Sequence, residues 1–300
     1  MGEKTGSERK GGALFVTAAV LFGGMLAFSG TMLVRELAQA KAEADTFAEL
    51  SSLRLAPRET DPAPVIVRPQ AAAEIAADEE EAAEAEPVPS APETDGAADE
   101  PKAAAEAPAP MARYLPLYER NPEFFGWITI PDTNIDYPVM YSPARRNYYL
   151  THDFYGGKAA TGVPYLAEDC DPEGSFYLVY GHHPNLGTMF SQLIRYEDRA
   201  FWETHREIRF DTLYEERTYA VAIAMRARVL DQNEQHGFRY YNYTSLDTEE
   251  EFGAYIRQAG EKSLYDTGID LSYGDELLVL STCYHYTRNG RFVVVAKRVA

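Results

Sequence analysis

The distribution of apolar and polar residues divides the chain into three stretches. Residues 13–34 read ALFVTAAVLFGGMLAFSGTMLV and carry no charge. At ~1.5 Å rise per residue, such a helix is roughly 33 Å long and can cross a bilayer core of roughly 30 Å. A buried core helix would be shorter and would show a polar stripe. A cleavable signal peptide is the rival reading, because Ser29, Gly30 and Thr31 are small. The apolar part of a signal peptide typically runs only about 7–15 residues, however, so the pattern predicts an uncleaved transmembrane helix. Lys4, Arg9 and Lys10 precede it, while Arg35 and Glu36 cancel behind it. The positive-inside bias then puts residues 1–12 in the cytoplasm and everything after Val34 outside.

The second stretch, 35–112, begins Ala/Glu/Lys-rich, and residues 35–53 could continue as a helix off the membrane. Residues 71–110 (AAAEIAADEEEAAEAEPVPSAPETDGAADEPKAAAEAPAP) hold almost no large apolar side chain. They cannot bury enough surface to offset the entropy of ordering them. The expectation for 57–110 is therefore a disordered, self-repelling spacer, and for 35–112 as a whole an acidic Ala/Glu/Pro-rich linker that holds a domain off the membrane within the cell wall.

The third stretch, 113–300, alternates like a folded β domain. Short β-rich runs occupy 126–130 (GWITI), 137–141, 162–166, 176–180, 208–210, 218–228, 276–282 and 291–299. Turn signals separate them, among them Pro131–Asp132, Gly156–Gly157 and Asn289–Gly290. Eight short strands in under two hundred residues predict a mostly β, closed or nearly closed barrel. Helical patches are expected at 114–120, around 188–196 and at 248–260. In the last, Phe252, Tyr255 and Ile256 share a face, and Thr248 with Glu251 fits a capping box.

Charge narrows the function. The formal net charge is −19, and most of the excess lies in 35–112. An acidic surface repels phosphate backbones, so a nucleic-acid partner is not expected. Two cysteines, Cys170 and Cys283, are too few for a disulfide framework and match no zinc-knuckle spacing. Cys170 sits in a turn-like DCDPE stretch and is given no role beyond a conceivable bridge to Cys283.

Cys283 closes the run ELLVLSTC (276–283), at the end of a predicted buried strand. A thiol at a strand end opens on a cleft, whereas the same thiol within a strand would be inert packing. A free thiol of pKa about 8.5 is only partly ionised at neutral pH, so a nucleophilic role needs a neighbouring base. His182 is a candidate, at the end of the apolar run FYLVY in YGH (180–182). His285 is another, two residues past Cys283 and on the same face if that strand continues. His183 would point away from His182 in extended chain, and His152, His205 and His236 are more distant in sequence. Spacing leaves the choice open. Arg291 opens the last strand across a turn and could bond an oxyanion beside Cys283. Arg288, in the turn itself, is its competitor.

YGH at 180–182, LSTC at 280–283 and Arg291 together resemble the signature of the sortase family. The flanks NPxFxGW (121–127), IDYPV (135–139), Tyr149–Leu150 with DFYG (153–156) and GTMF (187–190) resemble its class B branch. The resemblance covers roughly 114–300. It implies an eight-stranded sortase-type barrel with peripheral helices, one of them 248–260 before the cysteine strand. It raises His182 above His285 and implies catalytic roles for His182, Cys283 and Arg291, with Thr282 shaping the substrate groove or holding Arg291. No cofactor or metal is implied. The implied reaction cleaves a sorting signal on a secreted protein through a Cys283 thioester. The acyl group then passes to an amine of a cell-wall precursor or a pilin, at the outer face of the cell membrane. A secreted cysteine peptidase using water, or a non-catalytic surface assembly module, are the alternatives. The surroundings of Cys283 lack the pattern of an L,D-transpeptidase. YHYTR (284–288) departs from the family by adding an imidazole near the thiol.

Overall fold

All eight apolar runs become strands in the computed structural model, which describes residues 6–55, 108–184 and 187–300. They are β1 (Phe124–Thr129), β2 (Asp136–Met140), β3 (Tyr165–Leu166), β4 (Phe176–Gly181), β5 (Glu207–Thr212), β6 (Thr218–Arg228), β7 (Leu277–Cys283) and β8 (Gly290–Arg298). They close into a barrel in the order β1-β2-β3-β4-β7-β8-β6-β5, with β5 returning to pair with β1. β2–β3 and β4–β7 are parallel pairs and the rest are antiparallel.

Burial follows from what covers each strand. β5 alternates, with Ile208 and Phe210 buried and Glu207 and Arg209 exposed. The parallel neighbours β4 and β7 are buried almost continuously, as expected of strands covered on both faces. α4 (Glu249–Gly260), between β6 and β7, buries Phe252, Tyr255 and Ala259, and Tyr255 meets Phe176 of β4 edge-on at 5.5 Å. Thr248 caps α4 by accepting from the Glu251 amide at 3.2 Å, as the capping box predicts. The Glu251 carboxylate takes the Thr248 hydroxyl at 3.0 Å.

Three local differences have local causes. β3 has two residues where five were expected, because Gly162 turns the chain at φ +58° and its backbone lies against the Tyr149 carbonyl. The expected helix near 188–196 is a 3-10 segment, Met189–Glu197. A short helix, α3 (Arg199–Thr204), follows it unanticipated, capped by Asp198 accepting from the Ala200 amide at 2.9 Å. The expected helix at 114–120 is present as α2 (Leu115–Arg120).

The N-terminal helix α1 (Gly6–Leu55) is the largest departure. Among the described residues it is one helix long and apolar enough to cross a membrane, and Leu21, Phe22, Met25, Leu26, Phe28 and Met32 are all more than half exposed. It does not stop at Val34. Residues 35–55, of which 35–53 could continue as a helix off the membrane, are helical but lie on the barrel. Glu43, Phe47, Leu50 and Arg54 form one stripe at helical spacing. Phe47 meets Tyr137 edge-on at 5.0 Å, and Leu50 is fully buried. Arg54 stacks 4.5 Å over Trp127 and pairs with Asp136 at 3.3 Å. Glu43 accepts from the Thr161 hydroxyl at 2.5 Å. The rest of the expected linker, but for 108–112, lies outside the described residues.

Candidate active site

Strand register brings the candidate side chains together. The parallel β4–β7 ladder ends at the pair Gly181–Thr282, so His182 follows directly beside Cys283. Across the antiparallel β7–β8 pair, Cys283 is the partner of Arg291. Neighbouring strands lie about 4.8 Å apart, which sets His182, Cys283 and Arg291 in one row over three strand ends. All three line a single cleft of about 520 Å³, walled also by Leu150, Tyr165, Glu168, Tyr180 and Tyr240.

The His182 and Arg291 side chains of the row are held by main-chain carbonyls. His182 Nε2 lies 2.8 Å from the Leu150 carbonyl; since a carbonyl only accepts, Nε2 carries the hydrogen and Nδ1 is left for the cleft. The His182 carbonyl accepts from the Phe190 amide at 2.9 Å. A side chain at Gly181 would meet the Phe190 ring at 2.5 Å, which accounts for the glycine before the histidine. Thr282 is buried, lines the cleft and donates its hydroxyl to the Gly181 carbonyl at 2.8 Å, which locks β7 to β4. Arg291 Nη1 donates to the Gly290 carbonyl at 2.9 Å. The Asn289–Gly290 turn signal is realised with Asn289 at φ 56°.

The two cysteines differ in environment. Cys283 is half-buried at the cleft, while Cys170 is buried. Burial pushes the Cys170 thiol up to about 11, keeping it protonated and unreactive near neutral pH. Burial likewise pushes the Tyr240 hydroxyl up to about 12, opposed by its hydrogen bond with Ser281 and by the Arg291 cation. The Tyr165 hydroxyl is raised too, mainly by burial, and feels both Arg291 and Cys283. Two tyrosines thus lie within electrostatic reach of thiol and guanidinium.

The competing histidines fall elsewhere. β7 stops at Cys283, so His285 sits exposed in the following turn with Arg288. His152 stacks on Tyr148 and His205 on Phe201, each bonded through Nδ1 to a local carbonyl. His236 is exposed. Among the described residues, no group of three or more His, Cys, Asp or Glu could hold a metal ion.

A family model, the sortase domain, matches residues 128–299. The chain belongs to the sortase family. Its curated relatives put it in class B. Sortase B of Listeria monocytogenes is 30% identical over 193 residues, spanning 61% of this chain and 72% of the relative. Sortase B of Staphylococcus aureus is 27% identical over 182 residues, spanning 59% and 70%. Among solved structures, the S. aureus sortase B–substrate complex superposes with a TM-score of 0.55 at 26% identity, covering 62% of this chain and 84% of that one. Clostridium perfringens sortase B gives 0.55 at 27%, covering 62% and 98%. This sortase is accordingly a cysteine transpeptidase of the cell-wall sorting type, with the closed eight-stranded barrel expected of it.

Sequence reasoning missed two features of this sortase's site. Leu150 was noted only as part of a motif, yet its carbonyl orients His182. His183 points away from His182 in an extended chain and carries no role on that ground, yet its ring reaches the Cys283 carbonyl at 2.9 Å.

Proposed function

We propose that this sortase is anchored in the membrane by residues 13–34 and works outside the cell with Cys283 as nucleophile. What supports the reading is the row of His182, Cys283 and Arg291 on adjacent strand ends over one cleft. Cys283 gives its thiol proton to Nδ1 of His182, and the thiolate attacks the carbonyl of a threonine in a sorting signal, forming a C–S bond. Arg291 swings from its Gly290 carbonyl to meet the oxyanion, a role suited to a permanently charged guanidinium. As the tetrahedral species collapses, the C–N bond breaks and His182 passes a proton from Nδ1 to the leaving amine. The resulting thioester is opened by an amine of a cell-wall precursor or pilin. That amine gives a proton to His182 and expels the thiolate.

The tyrosine-lined wall suits an extended peptide whose side chains need both apolar contact and hydrogen bonds. Family resemblance favours an Asn-Pro-type signal. The test is mass spectrometry of the protein after incubation with candidate sorting peptides, with and without an added amine. A peptide thioester on Cys283, discharged to an amide product only when amine is supplied, is the expected result. Discharge at the same rate by water alone would make the protein a peptidase. The absence of any adduct across class B signals would remove Cys283 from the nucleophile's role.

A further inference from the structure

Beyond the last ladder pair, Gly181–Thr282, no strand pairing joins the His182 segment to Cys283. At that point the His183 ring takes over. Its Nδ1 lies 2.9 Å from the carbonyl of Cys283 itself. A carbonyl can only accept, so Nδ1 of His183 carries a hydrogen and donates it. On its other side the same segment is tied away from β7. His182 Nε2 donates to Leu150, the Phe190 amide donates to the His182 carbonyl, and Ser191 Oγ donates to the Pro184 carbonyl at 2.9 Å. Those three bonds fix the segment to the barrel's surface loops. The His183 bond fixes it to the residue that bears the thiol.

Because His183 is joined covalently to His182, a bond from one to the Cys283 backbone limits how far the other can drift from the Cys283 side chain. We propose that His183 is a positioning residue, whose ring clasps the Cys283 main chain and so sets the separation of the Cys283 thiol and the His182 imidazole. The proposal rests on the nucleophile and acid named above. Misplacing reacting groups by about 1 Å can cost on the order of 10²-fold in rate, so the clasp acts on turnover and not on substrate affinity.

The test compares the full-length protein with its His183→Ala and His183→Asn variants, using a sorting peptide that acylates the wild type. Asparagine places an amide N–H the same number of bonds from Cβ as Nδ1 and can reach the same carbonyl. His183→Ala is expected to lower the acylation kcat by roughly ten- to a hundredfold with KM unchanged within about twofold. His183→Asn is expected to recover most of that loss, and the pH profile of kcat/KM should keep the same limbs in all three proteins. Acylation of His183→Ala at the wild-type rate would overturn the clasp while leaving Cys283 as nucleophile. Equal losses in both variants, or a displaced limb in the pH profile, would also overturn it by assigning the ring a structural or proton-handling role. A wild type that forms no thioester with any signal would overturn the underlying reading instead.

Discussion

Under α1, Phe47, Leu50 and Trp127 are held by burial against one another, whereas around the cleft the side chains of His182, Thr282 and Arg291 each bond main-chain carbonyls. Burial is non-directional and scales with apolar area. It fixes a helix firmly against a barrel but tolerates small adjustments. A hydrogen bond to a carbonyl fixes a direction and contributes little net stability, about 0.5–1.5 kcal/mol. The docking face therefore carries stability, and the strand ends carry alignment.

Substitutions should separate the two. Cys283→Ala removes a half-exposed side chain, so no acyl adduct should form while the melting temperature moves by no more than about 2 °C. A collapse of the fold would show that the cleft also carries stability. Arg291→Ala should come next, lowering kcat by roughly 10²–10³-fold at near-constant stability, with lysine restoring only part because it lacks the planar fork. Full activity in the alanine variant would direct attention to main-chain donors for the oxyanion. Leu50→Ala should show the reverse split. It should lose about 2–5 kcal/mol in denaturant unfolding, with peptide turnover unchanged under conditions where the protein is folded. Loss of turnover by the folded Leu50 variant would mean that the docking face reaches the cleft.

The same contrast explains what could be read from the sequence. Strand positions were legible because alternation and turn residues are local signals: β6 appears at 218–228 as read, and Asn289 takes the left-handed conformation its turn requires. The choice of His182 over His285 was not, since it depends on where β7 stops, and that is set by pairing with β8. The family resemblance supplied it. The docking of α1 was hidden by composition: among alanines and glutamates, Phe47, Leu50 and Leu53 look sparse, though their spacing marks one face. His183 shows a different limit. Strand alternation correctly turned it away from His182, but no sequence pattern names the carbonyl it finds there.

The seating of α1 also decides how distance is transmitted along this polypeptide. Arg54 and Leu55, where the helix ends, line the same cavity as Arg113, where the chain has come back to the barrel. The helix end and the returning chain thus meet at one place, and the helix-to-barrel joint itself sets how α1 and the barrel sit together. One residue inserted into α1 between Val34 and Glu43 acts as a crank: it lifts the barrel by about 1.5 Å and turns it by about 100° about the helix axis.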